Sequence, residues 1–307
     1  MSSQRNGGAV LLINENAGGV ARAAKEEWAA QVADRLDSAG WKVNVCSVAA
    51  SGIHQELHRA VAAAPEALIV GGGDGTILSA VSAIGERGIP LGIIPMGTFN
   101  SLARDLHIPP QWEGAVDVIA QRQIRVIDVA MVNNRPFMSL CVIGFLATPE
   151  CSEGEGRPWW WKAMRNLRLA VSGYARYPAM HLRVETETTT GFLKTRLVAV
   201  ANNSFQDESG LKVPLRQEVD SGRLTIYLSK HSSQLEVMRA GLAFLMGRLS
   251  DDPNLTILSA RSAAISARWR RHLAITLDGE VVREAMPLRF RMHPKQLRVF
   301  SGGTQQI

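Results

Sequence analysis

Residues 69–76 combine the end of an apolar strand with four glycines, one carboxylate and one hydroxyl. The segment reads Ile69-Val70-Gly71-Gly72-Gly73-Asp74-Gly75-Thr76, and a helix is predicted from about Ile77. Glycine permits positive φ and lets a ligand approach main-chain N–H groups closely. A strand end, a glycine turn and a helix N-terminus together form a concave surface of donors that suits phosphate. The alternative is a turn that only joins strand to helix, and the placement of Asp74 and Thr76 argues against it.

Two standard phosphate loops do not fit this segment. A Walker A loop needs Gly-Lys-Ser/Thr after its spacer, and residues 71–76 contain no lysine. A Rossmann loop needs a third glycine where Thr76 stands, and an acidic residue about twenty positions later to hold a ribose. The next predicted strand, 91–94, ends instead in Pro95-Met96.

Residues 93–106 repeat the order of strand, turn and helix. Gly97-Thr98 opens the turn, and Asn100 or Ser101 is expected to cap the following helix. A third turn of this kind is predicted at 14–19, after an apolar strand. Because open α/β sheets bind ligands at the carboxyl ends of their strands, we expect the turns to share one rim and to hold one polyphosphate.

These motifs resemble those of a known family. GGGDGT followed by PMGTFNSLARDL is similar to the catalytic domain of the diacylglycerol kinase family, in its soluble bacterial lipid kinase branch. Sphingosine and ceramide kinases share that domain, and NAD kinases are more distant relatives. The resemblance covers nearly the whole chain, since residues 14–18 resemble the family's N-P-x-A-G loop and residues 277–280 its late D-G-E element. Two departures are Glu15, where proline is usual, and Ser101, where an aspartate is usual.

The pattern of elements predicts two domains. Strands at 9–13, 41–46, 67–70 and 90–94 alternate with helices at 20–38, 52–63 and 76–85 and with two short helices up to about 121, which indicates a doubly wound parallel sheet. Strands then follow with few helices between them, at 126–132, 137–143, 181–186, 194–201, 224–229, 256–268, 272–277 and 288–292, with one helix at 233–249. We therefore predict an α/β nucleotide-binding domain over 1–127 and a mainly antiparallel β-sandwich over 128–307, the last residues returning to the first domain. The resemblance implies an active site in the cleft.

Composition restricts the class of protein. The chain has 307 residues, 46% of them hydrophobic and 20% charged, as in soluble globular proteins. The net charge of +6 favours an anionic partner. The three cysteines (Cys46, Cys141, Cys151) are widely spaced, which indicates a reducing compartment. No signal-like segment and no apolar run long enough to span a bilayer is present, so we expect a cytoplasmic protein that associates peripherally with membranes.

Phosphoryl transfer requires positioning, charge neutralisation and a base for the attacking hydroxyl. Arg22 or Arg104 could donate to phosphate, although Arg104 could equally be a surface arginine. Mg²⁺ is expected because polyphosphates usually bind with it. The glycine turn (Gly71, Gly72, Gly73, Asp74, Gly75) is expected to supply N–H donors to the nucleotide, Thr76 and Thr98 to supply hydroxyls, and Asn14 and Asn100 to make further nucleotide contacts.

Asp278 and Glu280 are the leading candidates for the general base, and Asp74 is their rival or organises the magnesium. The pair flanks Gly279, where a strand ends in a tight turn. On local sequence alone an ordinary Asp-Gly hairpin with a solvated glutamate is the alternative. Family members can hold a regulatory metal near the position of Asp220, for which a plain turn aspartate is the alternative.

A basic aromatic stretch begins at residue 157. Trp159, Trp160, Trp161, Lys162 and Arg165 have the composition of an interfacial segment that sits at anionic headgroups. The alternative is an amphipathic helix packed on the sandwich.

The sequence thus predicts an ATP-dependent lipid kinase, with diacylglycerol as the substrate that the resemblance implies. The alternatives are a kinase for another hydroxyl lipid (a sphingoid base or an acylglycerol), a kinase for a soluble acceptor, and a catalytically weak regulator that binds nucleotide or lipid. No aromatic-basic RNA motif is present, so nucleic acid is not an expected partner. A homodimer is left open.

Overall fold

The computed structural model describes residues 8–17, 22–144, 177–205, 216, 218–231, 233, 235–236, 239–240, 252–268 and 270–302. The helices are α1 (Arg22–Ser38), α2 (Ile53–Ala62), α3 (Asp74–Ile84), α4 (Ser101–Asp105) and α5 (Trp112–Ala120). The strands are β1 (Ala9–Asn14), β2 (Val43–Val48), β3 (Leu68–Gly72), β4 (Leu91–Pro95), β5 (Ile124–Val132), β6 (Arg135–Phe137), β7 (Leu140–Gly144), β8 (Met180–Thr186), β9 (Thr190–Thr195), β10 (Leu197–Asn202), β11 (Leu224–Ser229), β12 (Leu255–Ala260), β13 (Ser262–Ala267), β14 (His272–Leu277), β15 (Glu280–Ala285) and β16 (Leu288–Phe300).

The chain divides into two compact units. The first contains the described residues of Met1–Asp128 together with those of Lys295–Ile307, and the second those of Val129–Pro294. β5 and β16 contribute residues to both units.

The first unit is built on a parallel sheet in the order β2-β1-β3-β4. The last residues of β16 add to this sheet, since Val299 pairs in parallel with Leu91 of β4. Every residue of β3 and β4 is buried, as their continuous apolar runs require in a sheet covered on both faces. Helix α1 packs on α5, and α2 packs on α3. The predicted parallel-sheet domain is therefore confirmed.

The second unit is an antiparallel β-sandwich, which confirms the other half of the predicted fold. One sheet has the order β12-β11-β10-β7-β14-β15. The facing strands pair in the order β9-β8-β13 and then the first residues of β16. The core between them contains Phe137, Ile143, Val200, Ile275 and Phe290. Burial alternates along β8, so that one set of side chains enters this core and the other faces solvent.

Two predicted strands are each two strands in the structure. The stretch 194–201 breaks at Arg196 between β9 and β10, and the stretch 256–268 breaks at Arg261 between β12 and β13. In both cases the chain leaves one sheet of the sandwich and enters the other. Neither corner contains glycine or proline, so no turn-forming residue in the sequence marks where the first strand ends. The stretch 137–143 is likewise divided, between β6 and β7.

Other boundaries also differ. Helix α3 begins at Asp74, three residues before the predicted start. β15 was not predicted, and its charged residues are those of an edge strand. β16 runs to Phe300, although the strand was predicted to end at Met292. Within it, the N–H of Lys295 (φ 54°) donates to Asp128 Oδ1 at 2.8 Å. The predicted helix at 233–249 lies largely outside the described residues.

Candidate functional site

Three turns follow the carboxyl ends of neighbouring parallel strands in the first unit. The first turn (residues 14–17) follows β1, the second turn (residues 72–76) follows β3, and the third turn (residues 95–101) follows β4. Since β1, β3 and β4 are adjacent and parallel, the three turns lie on one edge of the sheet, as predicted.

The second and third turns touch through glycine. A Cβ atom on Gly97 would lie 2.7 Å from Cα of Gly73 and 2.9 Å from Oδ1 of Asn100. A Cβ atom on Gly73 would lie 3.3 Å from Cα of Gly97. Gly73 has a φ of −89°, and Gly97 is not among the residues of positive φ. These two glycines are therefore required for the close approach of two main chains, not for an unusual backbone conformation.

Asp74 joins the same two turns. Its Oδ2 accepts a hydrogen bond from the N–H of Asn100 at 2.9 Å, and its Oδ1 accepts one from the N–H of Ser101 at 2.6 Å. The first residue of α3 thus supplies the acceptor for the amides that begin α4. Burial raises the pKa of Asp74, an effect that exceeds the opposing effect of the two amide hydrogen bonds.

The predicted side-chain cap of α4 was wrong. Asn100 is in the left-handed region (φ 47°, ψ 49°) and makes no cap hydrogen bond. Its Oδ1 accepts the N–H of Gly97 at 2.8 Å, and its Nδ2 donates to the carbonyl of Gly97 at 2.9 Å. The Asn100 side chain therefore closes the third turn through two hydrogen bonds to Gly97. Asparagine tolerates the left-handed backbone conformation of this position better than most residues.

Asn14 links the first turn to the second. Its Nδ2 donates to Thr76 Oγ1 at 2.8 Å, and its Oδ1 accepts the N–H of Asn16 at 2.9 Å. Gly71 and Gly72 are buried inside β3, whereas residues 73–75 are half-buried and Thr98 is exposed. Of the nine residues predicted to contact a nucleotide, four hold the turns together (Asn14, Asp74, Thr76 and Asn100), whereas Thr98 and the backbone of residues 73–75 reach the surface.

Asp278 and Gly279 form the two-residue turn between β14 and β15 in the second unit. Both have positive φ, 48° and 95°, as hairpins of this length require. The Asp278 carboxylate accepts three main-chain hydrogen bonds, from Met138 at 2.6 Å, Ser139 at 2.8 Å and Leu140 at 2.9 Å. Burial nevertheless raises the pKa of Asp278, against the effect of these three amides. Asp278 therefore fastens the hairpin to the start of β7.

Glu280 differs from Asp278 although it is only two residues away. It is the first residue of β15, pairs with Leu277 across the hairpin, and is exposed. Its carboxylate has no hydrogen-bond or ion-pair partner among the residues that the structure describes.

A buried polar group near Asp278 was not predicted from the sequence. Arg216 is only 5% exposed, and its charge lowers the pKa of Asp278. Its Nη1 donates to the carbonyl of Asn202 at 3.4 Å. Asn203 Nδ2 donates to Asn202 Oδ1 at 3.0 Å, and Asn203 Oδ1 accepts the hydroxyl of Ser221. Two consecutive asparagines directly after an apolar strand were a signal for this group, whereas nothing local marks Arg216.

The remaining predicted residues are placed as follows. Arg104 is half-buried in α4, and Asp220 is exposed. The described residues contain no group of three or more His, Cys, Asp or Glu side chains that could hold a metal ion. Some predicted residues lie outside the part of the chain that the structure describes. They are Gly18, Gly19, the side chain of Arg22 and the whole interfacial segment (Trp159, Trp160, Trp161, Lys162, Arg165). None of the helices that the structure describes has the length and apolar character of a membrane span.

Two family models match most of the chain. Residues 8–132 match the diacylglycerol kinase catalytic domain, and residues 155–301 match the YegS C-terminal NAD kinase beta sandwich-like domain.

Individual relatives are similar over most of this chain. An uncharacterized protein of Synechocystis sp. is 29% identical over 248 residues, which are 76% of this chain and 54% of that protein, so the chain spans about half of its length. A Staphylococcus aureus protein named diacylglycerol kinase is 27% identical over 272 residues, 83% of this chain and 82% of that protein. The solved structure of a putative diacylglycerol kinase from Bacillus anthracis has a TM-score of 0.76 at 18% identity and covers 96% of this chain and 97% of its own, which shows a shared fold.

Proposed function

The chain belongs to the diacylglycerol kinase catalytic-domain family, and from that premise we propose that it is an ATP-dependent lipid kinase. It transfers the γ-phosphoryl group of ATP to the hydroxyl of a membrane lipid, diacylglycerol being the substrate that relatives' names favour. The observation that carries the proposal is the contact between Gly73 and Gly97, which brings two main-chain turns together at the carboxyl edge of the parallel sheet.

The contacting turns are suited to a polyphosphate. No side chain stands between Gly73 and Gly97, so N–H groups of the second turn and the Thr98 hydroxyl of the third can reach the same chain of phosphates. Asp74 holds the turns at a fixed separation before ATP arrives. Preorganised donors of this kind stabilise charge without reorganising during the reaction.

Magnesium enters this proposal as part of the MgATP substrate. The described side chains offer no cage of three or more ligands, and both Asp74 oxygens already accept main-chain amides. Mg²⁺ commonly keeps several waters and binds through substrate phosphates with only one or two carboxylates. Asp74 and the first turn are thus assigned to holding the nucleotide site together.

Glu280 is the general base in the proposed reaction. The lipid hydroxyl oxygen bonds to the γ-phosphorus, the bond from that phosphorus to the β–γ bridging oxygen breaks, and the hydroxyl proton passes to the Glu280 carboxylate. Glu280 is exposed and has no partner among the described residues, so its oxygens are available. Asp278, which accepts three amides, is a positioning residue that fixes the hairpin carrying Glu280.

The test is transfer of labelled phosphate from ATP to a panel of detergent-dispersed hydroxyl lipids, diacylglycerol included. Gly97→Ala should abolish transfer, because its methyl group would enter the space of Gly73. Gly302→Ala is the matched control, since the nearest atom to its Cβ is 3.7 Å away, and it should retain full activity.

Three results would contradict the proposal. Labelling of a soluble acceptor in place of any lipid would make the protein a different kinase. Nucleotide binding without turnover on the whole panel would make it a regulator. Full activity of Gly97→Ala would remove the two-turn site as the place of ATP binding.

A further inference from the structure

We propose that one face of the sandwich in the second unit docks on an anionic lipid membrane. The outer face is defined as the solvent side of β9, β8, β13 and the first residues of β16. Its large exposed side chains are His181, Arg183, Phe192, Lys194, Arg289 and Arg291. The inference rests on the proposed function in one respect, since a membrane lipid is a substrate that the protein must reach.

Strand alternation places these residues on a single surface. Leu182, Val184, Ile265, Leu288 and Phe290 belong to the buried core of the sandwich. The residues between them along each strand point the other way, and burial alternates accordingly in β8 and in the first residues of β16. The core thus fixes which side chains make up the outer face.

Phe192 is the apolar feature of the outer face. It is 83% exposed, whereas the next most exposed large hydrophobic side chain of the described residues, Leu235, is 50% exposed. It stands on the edge strand β9, directly opposite Arg183 in the register of β8. An aromatic ring held out from a rigid strand is suited to the boundary between headgroups and acyl chains.

The charge of the outer face is positive. Lys194, Arg289 and Arg291 are exposed, and no acidic side chain of the described residues pairs with them. Glu185 forms an ion pair with Arg183, so these two charges cancel, and Glu187 keeps its negative charge although it accepts the N–H of Ser262. Among the described residues of the outer face, the three unpaired basic side chains therefore outnumber the one unpaired acid.

The central strand keeps the basic groups accessible. β13 contributes only Ser262, Ala264 and Ser266 to this side of the sheet. In the register of β16, Arg291 lies opposite Ser262 and Arg289 lies opposite Ala264, and the Arg183–Glu185 ion pair lies on the other side of β13. These small side chains allow a planar partner to approach the unpaired basic groups of β16 closely. A lipid surface with anionic headgroups is planar and has the complementary charge.

The test is co-sedimentation of the full chain with vesicles of phosphatidylglycerol and phosphatidylcholine, and with phosphatidylcholine alone. We expect binding to the anionic vesicles that weakens with salt. Arg289→Gln with Arg291→Gln should reduce the partition constant about 25-fold, at about fivefold for each charge near the surface. Phe192→Thr, made separately, should also reduce it.

Control variants carry the same changes elsewhere. Lys42→Gln with Arg298→Gln removes two exposed charges from the first unit, and Ile257→Thr removes an exposed apolar side chain (41%) from the other sheet of the sandwich. The partition constants of these control variants should stay within about twofold of the wild-type value, apart from the small effect of the lower net charge. Circular dichroism of every variant should match the parent protein.

Docking and kinase activity are separable in this design. Wild-type vesicle binding by the Arg289/Arg291 and Phe192 variants overturns the docking proposal, whatever the kinase assay gives. A changed oligomeric state with unchanged vesicle binding overturns it in favour of a second copy pairing along β9. Absence of lipid phosphorylation in detergent contradicts the proposed function alone, because that assay requires no vesicle.

Discussion

Asp74 offers the most direct test of how the candidate site is held together. Its two oxygens accept the N–H groups of Asn100 and Ser101 at 2.9 and 2.6 Å. Asp74→Asn keeps the shape of the side chain but leaves one acceptor, and its amide nitrogen then faces an N–H donor. Asp74→Ala removes both acceptors and leaves the two amides at the start of α4 unsatisfied.

The expected losses of stability follow from these bonds. A hydrogen bond to a charged group contributes about 1.5–3 kcal/mol, and an unsatisfied buried donor costs about 1–3 kcal/mol. Because burial already disfavours the charged carboxylate, as its raised pKa indicates, part of that loss is offset when the charge is removed. We expect the free energy of unfolding to fall by about 1–2 kcal/mol in Asp74→Asn and by about 3 kcal/mol in Asp74→Ala.

Urea unfolding measures the global loss, and amide hydrogen exchange measures the local one. Exchange of the Asn100 and Ser101 amides should accelerate selectively in both variants, and lipid phosphorylation should fall by about 100-fold or more as the third turn moves. Asp117→Asn is the control, because the exposed Asp117–Arg35 ion pair should contribute less than about 1 kcal/mol. Unchanged protection of these two amides in Asp74→Ala would refute the assigned role.

Two further predictions concern the hairpin of the second unit. In the folded protein burial raises the pKa of Asp278 above its usual 3.8, so its contribution to stability is full below about pH 4 and is lost as the pH rises through the folded pKa. The free energy of unfolding of the wild type, relative to that of Asp278→Asn, should therefore fall between about pH 4 and 7. If urea unfolding gave the same pH dependence for the two proteins over this range, the prediction would be contradicted. Glu280→Gln should lower kcat by about 100-fold or more without changing the free energy of unfolding. Glu113→Gln, an exposed control in the first unit, should change neither kcat nor the free energy of unfolding. Equal kcat values in the two variants would exclude Glu280 as the base.

The sequence predicted the three turns well because each is a local pattern. A buried strand, a glycine-rich turn and a helix lie within a few residues of one another, and parallel pairing of the strands then determines that the turns share an edge. The Asp-Gly hairpin at 278–279 was visible for the same reason, since its two residues suffice to specify the turn.

The partners of the key side chains were not predictable in this way. Asp74 bonds to amides 26 and 27 residues away, and Asp278 bonds to amides 138 to 140 residues away. A carboxylate that accepts main-chain N–H groups leaves no mark on the residues that donate them, because every residue except proline carries that donor. The cap expected from Asn100 failed for this reason, since Asp74 already served those amides.

The positions at which the chain crosses between the two sheets, Arg196 and Arg261, were not predictable for a different reason. Strand propensity reports how well a residue fits a pleated surface, and it does not report to which of two sheets that surface belongs. Continuous strand-forming residues therefore concealed two corners of the sandwich.

Residues 295–302 have a consequence for the order in which the protein can form. They complete the first unit, where Val299 pairs with Leu91 and Phe300 packs on Trp41 with ring centroids 5.6 Å apart. The ribosome makes them only after the entire sandwich. During translation the edge of β4 therefore has no pairing strand until residues 295–302 have been synthesised. A nascent chain released early would expose this unpaired strand edge to chaperones or to other chains.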